Sequence, residues 1–250
     1  MIDKRLGAMY SFSVKETIIM FEGIKVRSAL LKHQKGDTTS ASAVYNELYS
    51  QNYIRCSYIL PWSVLLLRTG GEDNWKKVKE ILAKAQKAPD INEQSRSELI
   101  LNFAIAEYKL GNLDKAVELL ERIHQKSPSG DTYGALGCLY IEQGNLEKAM
   151  EINKAALEYD DEDPVALDNM GQTYYRLMND EEAALPYFKK AHEIKPSQID
   201  TLWFLSRYDV KEGKVSDAIE KLETALGGRF SPLNTVTKAK IEEELASLKK

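Results

Sequence analysis

The chain has 250 residues, 43% hydrophobic and 29% charged, with a formal net charge of −4. That balance belongs to a folded chain, and scattered Lys and Arg on an acidic whole exclude the basic face that nucleic-acid binding needs. Two cysteines, Cys56 and Cys138, do not make a disulfide scaffold and point to a reducing, cytoplasmic setting.

Residues 1–58 predict an N-terminal helical region. Met1 to Gly23 mixes charges into its apolar residues and offers no signal-peptide core. Near residues 22–54, Ala29, Gly36, Ala41 and Tyr45 fall at the spacing of one degenerate helix pair. The longest apolar run, Tyr58 to Leu67, is about half the ~20 residues of a membrane span and contains Pro61, so no span is expected within this chain. An anchor outside this sequence stays open. Residues 59–96 predict a second degenerate pair, with Trp62 and Leu65 followed by Val78, Leu82 and Ala85; Leu66 stands where a small residue is expected.

From residue 97 the chain repeats itself. Gly-Asn-Leu-Asp-Lys-Ala at 111–116 returns as Gly-Asn-Leu-Glu-Lys-Ala at 144–149. Three ladders share a period of 33 to 35 residues: Ala104, Gly137, Gly171, Ser206; then Ala116, Ala149, Ala184, Ala218; then Ile123, Ala156, Ala191, Ala225. Each unit reads as two helices with apolar residues at helical spacing. The first runs from Glu98 to Lys109, Gly111-Asn112 breaks it, and Asp114 to Gln125 forms the second. Antiparallel helices about ten ångströms apart leave no room for a large side chain at their crossing, which explains the small residues. Four units follow, at 97–129, 130–163, 164–198 and 199–232. The third carries one extra residue in Leu177-Met178-Asn179-Asp180, and Pro186 falls inside its second helix, where proline is expected to kink or shorten it. Residues 233–250 hold an amphipathic stretch, Thr237 to Lys249, expected to cap the last apolar face.

Tyr133-x2-Leu136-Gly137-x2-Tyr140 and Leu167-x2-Met170-Gly171-x2-Tyr174, the latter followed by Ala184-x3-Phe188, Ala191 and Pro196, resemble the tetratricopeptide repeat. The resemblance implies an all-α, right-handed α-solenoid of antiparallel helix pairs, with 59–96 a degenerate unit. It also implies that successive first helices line a concave groove. The lining positions are then Leu101, Asn102, Ile105 and Tyr108; Gly134, Cys138 and Ile141; Asp168, Asn169, Gln172, Tyr175 and Arg176; Trp203, Arg207 and Lys211. Gly134 predicts a notch in this surface. Asn169 is placed to bond a peptide backbone, and Tyr108, Tyr175 and Trp203 offer rigid aromatic surface of the kind enriched at binding hot spots. Repeats that clamp a C-terminal carboxylate carry Lys, Asn and Arg at set positions; here such a ligand would meet Asp200, so that ligand is not expected.

No catalytic signature accompanies the repeats. HExxH, phosphate-binding loop, GxGxxG and GxSxG patterns are missing. His124 and His192 sit at equivalent places two repeats apart, roughly 20 Å at ~10 Å per packed helix, too far to share a metal. Their place near helix C-termini predicts a mildly favourable positive charge. Asp160 to Asp163 reads as a solvated loop that complements the next helix N-terminus. The expectation is a non-enzymatic scaffold without cofactor or metal that holds a peptide segment or helix of a protein partner. Self-assembly through the apolar residues Met9, Tyr10 and Phe12 is the alternative; a small-molecule sensor or enzyme ranks third.

Overall fold

The computed structural model describes residues 14–249. Met9, Tyr10 and Phe12 therefore lie outside the described residues. Among the described residues there are thirteen α-helices and no strand: α1 (Val14–Gln34), α2 (Thr38–Ser50), α3 (Cys56–Thr69), α4 (Glu72–Ala85), α5 (Glu93–Lys109), α6 (Leu113–Lys126), α7 (Gly130–Glu142), α8 (Leu146–Tyr159), α9 (Pro164–Gln172), α10 (Glu181–Ile194), α11 (Ile199–Lys211), α12 (Val215–Leu226) and α13 (Lys238–Leu248). A π-helical turn, Thr173–Met178, continues α9. The fold is an all-α helical repeat.

The chain forms two compact units. One runs to Leu66 and resumes over Glu80–Leu99; the other comprises Leu67–Lys79 and everything from Ile100. In the first unit, α1 packs on α2, and Tyr45 stacks on Tyr58 with centroids 5.8 Å apart beside the buried Trp62. Asp90 accepts from the backbone N–H groups of Cys56 and Ser57 at 2.8 and 3.1 Å, which satisfies donors at the start of α3.

The second unit holds the regular repeats. α7 packs on α8, α9 on α10 and α11 on α12, and α6, α8 and α10 each also pack on the helix that follows. Ala104, Ala116, Leu120, Leu136, Leu139 and Ala149 share one core cluster. Local chemistry sets the ends of the helices. Ser129 and Thr132 form a reciprocal cap at the start of α7. Asp163 accepts from the N–H groups of Val165 and Ala166 ahead of Pro164 in the first turn of α9. The acidic run thus ends in an N-cap. Gly144 and Gly213 end first helices with φ of 69° and 75°, left-handed backbone that favours glycine.

Two expectations change, and a third takes definite form. α5 begins at Glu93 rather than Glu98, because Asn92 and Ser95 exchange hydrogen bonds at 2.8 and 2.9 Å and start the helix earlier. The extra residue of the third unit is absorbed as the π-helical turn. Asn179 ends it with φ of 54°, in the role glycine plays elsewhere. Pro186 does not break α10, which is continuous from Glu181 to Ile194. It stands on the exposed face, where the carbonyl it leaves free can meet water.

The ladder glycines sit at the closest approaches. A methyl group on Gly171 would stand 2.7 Å from the Phe188 ring of α10, and one on Gly137 would collide with the Asn153 amide of α8 and lie 2.7 Å from Asn169 Nδ2. Asn153 is fully buried and donates to Thr173 Oγ1 at 3.1 Å, so it cannot swing away without losing that bond. Gly137→Ala should therefore lower stability by about 1–3 kcal/mol. Urea unfolding of the variant against the wild type measures this; an unchanged midpoint would show that the amides yield.

Candidate functional site

In the second unit α7 packs on α9, and Thr201 of α11 donates to Asp168 of α9. An opening of about 870 Å3 borders these helices. Gly134, Cys138, Asp168, Asn169 and Gln172, all expected to line a groove, meet there with Asp200. Its exposed lining residues include Arg68, Asp131, Lys195 and Arg229, so both signs of charge reach solvent beside it.

Several expected features are used up inside the fold. The notch at Gly134 is filled, since Val165 Cγ1 lies 3.0 Å from where a Cβ would stand. Asn169 does bond a peptide backbone, but its own: Nδ2 donates to Gly134 O at 2.9 Å, which ties α9 to α7. Asp168, Asn169 and Gln172 are buried, as are Asn102, Ile105 and Ile141. Leu101 and Tyr108 are half-buried against the core of the first two regular units. Tyr175 packs edge-on against Phe204 at 5.0 Å, and its hydroxyl accepts from Arg207 Nε at 3.1 Å. Trp203 donates from Nε1 to Glu244 of α13 at 2.8 Å, with Arg207 5.0 Å above its ring. The expected aromatic surface at that end is therefore covered by the capping helix. Lys211 is exposed and pairs with Glu181.

The last loop supplies what sequence reasoning missed. Ser231, Pro232, Leu233 and Asn234 form a turn closed by Asn234 N–H donating to Ser231 O at 3.1 Å. Ser231 N–H donates to Asn234 Oδ1 at 2.6 Å. Leu233 packs against the cluster that contains Tyr108 and Tyr140, and its carbonyl accepts from Cys138 Sγ at 3.4 Å. Asp200 then accepts three bonds from the loop: Asn234 Nδ2 at 2.9 Å, Thr235 N–H at 3.1 Å and Val236 N–H at 3.0 Å. Thr235 Oγ1 donates to Gln172 Oε1 at 2.8 Å, and Arg176 reaches the same oxygen at 3.1 Å while pairing with Glu142 at 2.7 Å. The sequence signal was present in Ser-Pro-Leu-Asn, a turn pattern with proline at its second position.

Burial pushes Asp168 up to about 7, the Asp200 charge adds to the rise, and the Thr201, Gln172 and Gln198 side chains oppose it. Burial raises Asp200 as well, against the pull of its three loop donors and Arg176. Burial likewise raises the Cys138 thiol and the Tyr108 hydroxyl well above their ordinary values. His124 corrects another expectation. Burial holds it below its ordinary value, which opposes a charge at the end of α6, and its ring packs edge-on against Tyr133. Among the described residues no three of His, Cys, Asp and Glu are grouped to hold a metal ion, and no helix is long and apolar enough to cross a membrane.

Comparison with known proteins agrees with this geometry. Tetratricopeptide repeat families match residues 98–130, 130–163 and 165–198. A crystallised tetratricopeptide repeat protein from Parabacteroides merdae superposes with a TM-score of 0.72 at 12% identity, covering 92% of this chain and 84% of its own. This is a tetratricopeptide repeat protein. The Cut9–Hcn1 hetero-tetramer of the APC/C contains a similar chain, with a TM-score of 0.64 at 17% identity over 88% of this chain and 41% of that one. Among curated relatives, the BBSome complex member BBS4 of Bos taurus is 25% identical over 169 residues and that of Mus musculus 26% over 172, covering 56% and 58% of this chain. The chain spans 33% of the length of these relatives. As a tetratricopeptide repeat protein it is an interaction scaffold in the general sense.

The two buried carboxylates make stability depend on pH. Between the ordinary Asp value of 3.8 and about 7, the folded chain keeps a proton on Asp168 that the unfolded chain releases. Stability therefore falls as pH rises through that window, by up to ~1.4 kcal/mol per pH unit from this group. Asp168→Asn should flatten the slope between pH 4 and 7. Urea unfolding of both proteins across that range measures it; parallel slopes would show that Asp168 is ionised throughout.

Proposed function

We propose that this chain is a non-enzymatic scaffold that holds a segment of a protein partner along α7, α9 and α11. The observation that carries this reading is the 870 Å3 opening where groove positions from two successive repeats converge. It combines apolar wall from Ala135 and Leu233 with buried hydrogen-bonding groups and charged exposed residues, the composition that holds a bound segment in one orientation. The size also suits a few residues of peptide better than a flat protein surface. The curated relatives are named as members of a multi-protein complex, which supports a role within an assembly.

The test uses the partner captured from the source cell and purified. Arg68→Glu combined with Lys195→Glu changes two exposed lining residues and leaves the core untouched. Affinity by calorimetry should fall about tenfold, with most of the loss at low salt. An affinity equal to that of the wild type would place the partner elsewhere and remove the groove reading.

A further inference from the structure

The loop between α12 and α13 occupies the surface that a partner segment would use. It runs from Gly227 to Thr237 without helix, and its contacts are of the kind a bound peptide makes. Leu233 is an apolar anchor, and the backbone N–H groups of Thr235 and Val236 meet a buried carboxylate. Asn234 adds a side-chain donor to the same carboxylate. The turn is closed by its own hydrogen bonds, so it reaches the groove already ordered. Its hold is partial: Ser231 is exposed, and Pro232 to Thr235 are half-buried. Val236 is buried in the core shared with α13 and fixes the far end. Gly227, Gly228, Arg229, Ser231, Leu233 and Asn234 form one wall of the 870 Å3 opening, so free space adjoins the loop.

We propose that Ser231–Thr235 is an internal ligand, and that the groove's partner is a peptide presenting the same chemistry: a proline turn with an apolar residue followed by a side-chain amide. This rests on the groove reading above. An acidic residue at the Asn234 place is excluded by Asp200, whose buried carboxylate takes a donor there and would meet a second carboxylate instead. The tether places the internal ligand at an effective concentration on the order of millimolar. A competing peptide must therefore gain contacts that the loop does not make, and the adjoining opening provides room for them. The apparent affinity for a partner is lowered in proportion to the time the loop spends seated.

The experiment uses the full chain and a fluorescent peptide of residues 229–237, Arg-Phe-Ser-Pro-Leu-Asn-Thr-Val-Thr. Leu233→Ser with Asn234→Gly unseats the loop and retains its length. Anisotropy should show binding to this variant about tenfold tighter than to the wild type. A peptide with Asp in place of its Asn should not bind. If the variant is folded by circular dichroism and the wild-type peptide does not bind it, the internal-ligand proposal is overturned. A random nonapeptide display on the same variant separates the two readings. Selected peptides that protect Cys138 from thiol labelling keep the groove and refute only the loop's role; no selected peptide and no bound loop peptide refute both. Should the variant unfold, hydrogen exchange on the wild type decides. Thr235 and Val236 amides exchanging faster than those of α9 and α11 support a displaceable loop, and exchange together with those helices overturns it. A wild-type protein that is dimeric by light scattering, beside a variant that is monomeric, would assign the loop to a second copy and likewise overturn it.

Discussion

Close approach at the helix crossings governs this molecule. At Gly137 and Gly171 the chain gives up a side chain, and a neighbouring helix moves into the space: the Asn153 amide of α8 in the first case, the Phe188 ring of α10 in the second. Apolar packing around those points supplies the bulk of the stabilisation, at about 25 cal/mol per Å2 removed from water. The crossing determines which surfaces remain for anything else. Asn153 and Asn169 both converge on Gly137, and there Asn153 joins α8 to the π-helical turn through Thr173 while Asn169 joins α9 to α7 through the Gly134 carbonyl. The buried polar network is thus part of the repeat packing rather than an addition to it.

Buried polar groups gather where α9 and α11 exchange a hydrogen bond. Asp168, Gln172, Thr201 and Asp200 lie together with little access to water. A carboxylate so placed is expensive unless donors meet it. Thr201 and Gln172 meet Asp168. Asp200 draws its three donors from the loop beyond α12, and its seat is built only when that loop lies against α11. The loop completes a site that the helices begin. Three donors to one carboxylate from adjacent residues fix both its register and its direction along the face.

Most of the architecture was legible because it repeats. Three ladders of small residues run through the helix pairs from α5 to α12, and Gly111-Asn112, Gly144-Asn145 and Asp163-Pro164 mark helix ends, while the start of α5 lay five residues before the expected one. What stayed hidden was non-local. Nothing local to Trp203 says that Glu244 will reach its indole from a helix 41 residues on, and Asn169 gives no sign that its amide will be taken by Gly134. The groove positions were identified by place, but their exposure depended on long-range partners that a period does not encode. The π-helical turn shows the same limit in miniature: the extra residue was visible in the count, while its absorption depended on Asn179 accepting left-handed backbone.

The third unit departs from its neighbours where the groove closes. Its first helix ends early, at Gln172, and the π-helical turn carries Tyr175 and Arg176. A π-helical turn adds a residue per turn and so shifts side-chain directions relative to a continuing α-helix. Arg176 uses its placement to reach Glu142 of α7, Gln172 and the loop residue Thr235 from one nitrogen. Tyr175 packs on Phe204 and meets Arg207 of α11. The irregular turn thus touches α7, α11 and the loop's seat at once.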